Sequence, residues 1–438
     1  MKTMRNRIAA LAISLVLTGC AAPVRAAAVP EQPQAAQKPA YTRAEYDAYQ
    51  AAAAETNPQQ KLKMLDDYVA KYPTSQLLLY VYDEYLKADS QLKNWPKVIE
   101  YFDKKLALPG LDAGVRLQAL FGRAQTYELA VKSTDPNLAE EATKAREAAL
   151  QGLKELETFQ KPANASDEQF ATVKKQLAVQ FYTTAGLASS HLKDYKAAAD
   201  NYGKANGQTE QPVIDYKLGL AELQENPPES TAGFWSLARA VDMKVPDGDK
   251  VTKYLRDRIS EYQAPVCDSS VDAEVKELLA LAQNSPGPSA GYTIPSAADL
   301  GKLREQDTGA LIKALRGGGD SGKFTWLAVC NGEFPEAFLA KTYEVDATDP
   351  AAIHVKGAIG TTEEEVNAST APDVALTIAG QPEAARLGKD DIFRFAGKLT
   401  GYTASPFQMT FEGVKVNPED IPEEKGKKPA KKPGKAKP

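Results

Sequence analysis

Three thiols and two imidazoles are the side chains of this 438-residue sequence best suited to covalent or metal chemistry. Cys20 follows closely on an uncharged run, Ile8 to Leu17, while Cys267 and Cys330 stand far down the chain. His191 and His354 have no cluster of cysteines or carboxylates around them at metal-ligand spacing. Cys267 and Cys330 have no neighbouring histidine and no Cys-x-x-Cys partner, so neither a metal site nor a redox-catalytic pair is expected. They form one bridge in an oxidising compartment or stay as inert buried thiols; distance along the chain does not choose between these. Gly317 to Phe324 (GGGDSGKF) imitates a phosphate-binding loop but places Phe324 where a Ser or Thr must hold Mg²⁺. It is expected to be a flexible linker. No Gly-x-Ser-x-Gly elbow occurs, and the carboxylate runs Glu140-Glu141 and Glu363-Glu364-Glu365 suit helix starts or polar loops. The sequence therefore reads as a non-enzyme with no cofactor.

The elements that would carry these groups change type along the chain. Residues 20–41 are rich in Ala, Pro and Gln without apolar periodicity and read as a flexible spacer. From 42 to 284 the pattern is helical, broken at Pro- and Gly-bearing loops such as Leu108-Pro109-Gly110 and Asn226-Pro227-Pro228. Ser166 with Gln169 three residues on is a helix-start signal. Residues 285–323 read as a linker with one short helix. Strand-like alternation runs through 324–421, clearest at Ile353–Val355, Val374–Ile378, Ile392–Phe395 and Phe407–Phe411. Residues 422–438 form a Lys/Pro/Gly tail with seven lysines from Lys425 to Lys437 and no apolar side chain able to join a core. A mild net charge of -5 argues neither for a general nucleic-acid binder nor for an acidic disordered chain, and nucleic acid is not an expected partner.

Lys2, Arg5 and Arg7 precede the apolar run, and Leu17-Thr18-Gly19-Cys20 closes it. This arrangement resembles the lipobox of bacterial lipoproteins. The resemblance implies a signal peptide over 1–19, acylation of Cys20, and a mature chain tethered by more than one acyl chain. It implies the cell envelope, and Ala21 after the cysteine points to the periplasmic face of the outer membrane.

Within the helical part, Gly186 in one helix is followed by Ala198, Tyr202 and Ala205 in the next, with Tyr182 ahead of them. That spacing resembles tetratricopeptide repeats, in which small residues let paired helices approach and an aromatic fills the gap. Gly219 lies thirty-three residues after Gly186, close to the repeat period of about 34. Leu86, Val98 and Phe102 fit the same frame; Gly122 fits it less well, and Lys105 and Arg146 depart from it. The resemblance implies a superhelical solenoid whose broad concave face binds protein segments.

The β region, with Gly388-Lys389-Asp390-Asp391 as a turn and Gly397 inside a strand, resembles an OB-fold of the anticodon-binding-like type. Such barrels bind oligonucleotides or sugars. Lys356, Phe393, Arg394, Phe395, Lys398 and Tyr402 are the candidates for a nucleic-acid face, but alternation sends Phe393 and Phe395 to the core. The expected architecture is α plus β: a tetratricopeptide-like solenoid, then a small OB-like barrel. The expected function is a lipid-anchored envelope scaffold for protein partners. The alternative is a barrel that binds an envelope glycan, lipid or other small ligand, with the solenoid as its stalk.

Overall fold

Helix-forming composition carries the chain from Arg43 to Val329, and strand alternation takes over at Glu333. The computed structural model describes residues 41–163 and 165–423. The signal segment, Cys20, nearly all of the spacer and the lysine tail lie outside the described residues. Among those described, no helix is long and apolar enough to cross a membrane. The chain divides into two compact units, ending at Val251 and beginning at Thr252.

The first unit contains α1 (Arg43–Ala54), α2 (Pro58–Lys71), α3 (Leu78–Gln91), α4 (Trp95–Leu106) and α5 (Ala113–Ala130). It continues with α6 (Leu138–Thr158), α7 (Asp167–His191), α8 (Tyr195–Gln208), α9 (Pro212–Glu222) and α10 (Ser230–Asp242). Starts are well defined: Thr42 and Ser166 close capping boxes with Glu45 and Gln169, and Asn57 accepts from Gln60 before a proline at the first helical turn. Each helix packs on the next in sequence, and α5 also packs on α7, giving a solenoid-like arrangement. Alanines such as Ala124, Ala145, Ala188, Ala198 and Ala205 are fully buried, so the helices sit close and aromatic rings fill the remaining space.

Two turns in this unit are near copies. Ser90-Gln91-Leu92-Lys93-Asn94 ends α3, and Ser190-His191-Leu192-Lys193-Asp194 ends α7. Lys93 and Lys193 both take positive φ, 56° and 60°. In each turn the next amide reaches back to the residue five before it, Asn94 to Asp89 and Asp194 to Ser189, both at 2.9 Å. This is the left-handed closure that satisfies the last carbonyls of a helix. The turns lie one hundred residues apart, about three repeat periods.

The boundary falls inside α11 (Gly248–Gln263). The second unit goes on with α12 (Asp268–Ala282), α13 (Ala297–Arg304), α14 (Thr308–Gly317) and α15 (Gly319–Val329). Then come β1 (Glu333–Asp346), β2 (Ala352–Gly360), α16 (Glu363–Ala368), β3 (Val374–Ala379), β4 (Ile392–Ala404) and β5 (Phe407–Val416). The strands pair in a closed ring, β1-β2-β3-β5-β4, in which β3 and β5 run parallel and the other pairs antiparallel. The expected turn is there: Asp391 accepts from the Gly388 amide at 2.7 Å, and Asp390 takes φ 71°. Gly397 sits at a shift in the β4–β5 register, where a side chain would press on Val414. Phe338, Phe393, Phe395 and Phe411 fill the interior, with Phe395 and Phe411 edge-on at 5.2 Å.

Four expectations need correction here. Residues 285–323 are not a linker with one helix: α13, α14 and the start of α15 lie in them, and Leu300, Leu311, Ile312 and Leu315 belong to the same core as the barrel. Strand does not begin at Phe324, because Phe324–Val329 close α15 and bury Leu327, Ala328 and Val329. Burial overrides the strand propensity of Phe-Thr-Trp-Leu-Ala-Val. The glycine run is no loose loop either; Gly318 and Gly319, at φ 63° and 60°, turn the chain from α14 into α15. Gly322 packs where a side chain would collide with the Tyr402 hydroxyl, and Lys323 pairs with Glu277 of α12 at 2.7 Å. Helix α12, expected at the end of the helical array, is grouped with the second unit, to which this ion pair and the Cys267–Cys330 bond tie it.

Candidate functional site

The repeat frame translates into a recurring contact in which a helical glycine receives a ring from a neighbouring helix. A side-chain carbon on Gly186 would lie 2.7 Å from the Tyr202 ring, and one on Gly122 would lie 2.2 Å from Phe102. Gly152 faces Phe181 at 2.4 Å in the same way, a pairing that the sequence reading missed. A glycine inside an otherwise good helix was the available signal, because it costs about 1 kcal/mol against Ala unless a close approach needs it. Gly219 differs in kind: it lies against the Gly233 carbonyl oxygen, 2.8 Å from where a side-chain carbon would sit, so α9 and α10 touch backbone to backbone. Ala198, Tyr202 and Ala205 are all buried on α8.

The two departures from the repeat are explained by charge. Lys105 is buried on α4 with its ammonium 2.5 Å from Asp83 of α3, and Arg146 of α6 reaches Asp194, the N-cap of α8, at 3.2 Å. Arg123 of α5, 1% exposed, donates to Asp103 of α4 at 3.0 Å and to Glu141 of α6 at 3.4 Å. Each buried cation has a carboxylate, as the cost of burying an unpaired charge requires.

A shared face emerges from the odd-numbered helices. Tyr127 of α5 and His191 of α7 share a 2.7 Å hydrogen bond, and Thr184 of α7 donates to the Ala124 carbonyl of α5. Glu128 of α5 pairs with Lys217 of α9, reaching past α7. Helices α5, α7 and α9 therefore project side chains onto one side of the stack. Burial, helped by the Lys217 charge, lowers the His191 pKa and so favours the neutral imidazole. On α3, burial works against the Glu84 carboxylate, yet hydrogen bonds from Lys61 and Lys87 outweigh it and hold its pKa down. A separate groove of about 730 Å³ runs between α4 and α6, lined by Ile99, Asp103, Val131, Leu138 and Glu141 among others.

Asp215 and Glu222 of α9 stand apart because their direct donors are neutral. Asn206 donates to Asp215 at 2.5 Å and Ser236 to Glu222 at 2.7 Å. Desolvation, then the Glu210 charge, pushes Asp215 up to about 6; desolvation, then Glu225 and Glu229 nearby, pushes Glu222 up to about 7. The folded chain thus holds protons that the unfolded chain releases near pH 4. Their contribution is fully present below the ordinary carboxylate range and is lost as pH rises through 6 and 7. Unit 1 is expected to be less stable at pH 8 than at pH 5.5, by roughly 2 kcal/mol from Glu222. Chemical denaturation of Glu222→Gln across this range should remove most of that slope; an unchanged slope would show that Glu222 ionises freely in the folded protein.

In the second unit Cys267 and Cys330 are joined as a disulfide, their Cα atoms 6.1 Å apart. The barrel candidates are scattered or engaged. Phe393 and Phe395 are in the core, Lys356 pairs with Glu344, Arg394 is held by Asp420, and the Tyr402 hydroxyl donates to the Leu315 carbonyl. His354 sits on β2 beside Thr377 and Asp349. Among the described residues no group of three or more His, Cys, Asp or Glu is placed to hold a metal. No protein-family model matches this chain, and no curated protein matches it either.

Proposed function

We propose that this protein is a lipid-anchored scaffold of the bacterial cell envelope whose tetratricopeptide-like solenoid binds a protein partner on the face shared by α5, α7 and α9. The observation that carries this reading is the link from Glu128 to Lys217 past α7, which makes one continuous surface from helices of successive repeats. A surface of that kind suits an extended segment of another protein better than a small substrate. The interlocked glycines and rings and the duplicated turns support the repeat assignment. The strand order supports an OB-like barrel. On the barrel, Phe393 and Phe395 are in the core, so these rings are not presented for stacking on a ligand, which favours the solenoid as the binding element over the glycan or small-ligand alternative.

A photo-crosslinking residue at Gln125, one turn before Glu128, tests the binding face against the same residue at His354 on the barrel. Crosslinks to an envelope protein from position 125 and none from 354 are expected; the reverse would transfer the function to the barrel. Anchoring is tested separately. A Cys20→Ala variant should accumulate as uncleaved precursor, and normal release of a soluble mature chain from it would remove the lipoprotein reading.

A further inference from the structure

The first helices carry a strip of tyrosines that the packing does not use up. Tyr41 stacks on Tyr46, ring centres 5.8 Å apart and nearly parallel, and Tyr49 lies 6.3 Å from Tyr80 of α3. Tyr46 and Tyr49 are three residues apart on α1 and so are neighbours on one helix face. Tyr41 and Tyr49 are partly buried against the local core, whereas Tyr46 is 38% and Tyr80 52% exposed. Laid end to end, the two ring-centre distances and the Cβ step of about 5 Å between Tyr46 and Tyr49 give the strip a path of at most roughly 17 Å. Rows of aromatic rings with spaces between them are the surface on which proline-rich segments dock, because a polyproline helix has three residues per turn and presents every third side chain to the same side.

The chain supplies such a segment. Residues 21–40 end at the residue before Tyr41, and they contain Pro30-Glu31-Gln32-Pro33, two prolines at the three-residue spacing. Six residues at about 3.1 Å each would cover the strip. The seven residues from Gln34 to Ala40 give roughly 23 Å of reach, enough to double back from Tyr41 onto it. Tethering so close gives an effective concentration on the order of millimolar, so weak contacts suffice. We propose that residues 21–40 dock on the strip formed by Tyr41, Tyr46, Tyr49 and Tyr80, with Pro30 and Pro33 seated between the rings. The proposal is independent of lipidation. For an anchored chain it makes the connection between anchor and body shorter than a free spacer would be.

Elastase, which cuts after small residues, reports on the segment through its many alanines. The test uses the chain from residue 20 to 438 with Cys20→Ser, and variants of it carrying Tyr46→Ala with Tyr80→Ala, Pro30→Gly with Pro33→Gly, or Tyr46→Phe with Tyr80→Phe. Cleavage within residues 21–40 is expected to be about tenfold slower in the parent and in the phenylalanine variant than in the other two, at unchanged thermal stability. Equal, fast cleavage in all four would overturn the proposal. So would protection that survives loss of the rings, which would put the segment elsewhere. Protection that grows with protein concentration would assign the strip to a second copy of the chain and overturn it as well.

Discussion

Reduction of the Cys267–Cys330 bond is expected to lower the stability of the second unit by about 2–4 kcal/mol. The bond closes a loop of 63 residues in sequence separation, for which the chain-entropy account gives about 4 kcal/mol at its upper end. It joins the residue ahead of α12 to the end of α15, and the backbone amide of Cys267 points at the Cys330 sulfur at 3.2 Å. Arg304 adds a clasp by donating to the Pro265 and Ala328 carbonyls from α13. The loss should therefore appear first at α12, while the barrel core around Phe395 and Phe411 persists. Hydrogen exchange with and without reductant, beside a Cys267→Ser with Cys330→Ser variant, measures this. Unchanged protection of α12 and an unchanged denaturation midpoint would mean that the bond adds no stability to α12.

Gly219→Val should cost the first unit about 3 kcal/mol, at the upper end of overpacking effects. The reason lies in what the new side chain meets. At Gly219 the obstacles are the Gly233 carbonyl oxygen at 2.8 Å and the Leu237 amide nitrogen at 3.0 Å beside the Leu237 Cγ at 2.9 Å, so moving the leucine side chain still leaves backbone that cannot turn aside on a packed helix. At Gly186 the obstacle is the Tyr202 ring. Truncating the neighbour should thus rescue one site and not the other. Tyr202→Leu is expected to recover part of the loss in Gly186→Ala, whereas Leu237→Ala should add to the loss in Gly219→Val. For a unit of about 200 residues each kcal/mol corresponds to about 2–4 °C in Tm, so Gly219→Val should melt about 6–12 °C lower. Rescue of Gly219→Val by Leu237→Ala would show that side chains, rather than backbone, set that contact.

The sequence by itself determined the local structure wherever a pattern was long and had one cause. Ser166 and Gln169 announced a helix start, and α7 begins there with a closed capping box. The alternation at 353–355, 374–378, 392–395 and 407–411 falls within β2, β3, β4 and β5. The Gly186, Ala198, Tyr202 and Ala205 spacing found buried partners because close helix packing admits few other residue types. Lys105 and Arg146 depart from the repeat pattern, and only the fold shows their carboxylate partners, each more than twenty residues away.

Tertiary structure alone decided the rest. Helices α13 and α14 bury only four large side chains between them, too few to leave a periodic signature over 285–323, and they are helices because the barrel offers them an apolar surface. The Phe324–Val329 run carries strand-forming residues, and its burial in the same core makes it helix instead. Asp215 and Glu222 look like ordinary surface acids in sequence. Their raised pKa values come first from burial and then from nearby like charge, Glu210 for one, Glu225 and Glu229 for the other, and the hydrogen bonds from Asn206 and Ser236 offset only part of the rise. The face shared by α5, α7 and α9 depends on Glu128 meeting Lys217 eighty-nine residues later. Period and propensity are properties of neighbours along the chain, whereas burial and pairing are set by residues that only folding brings together.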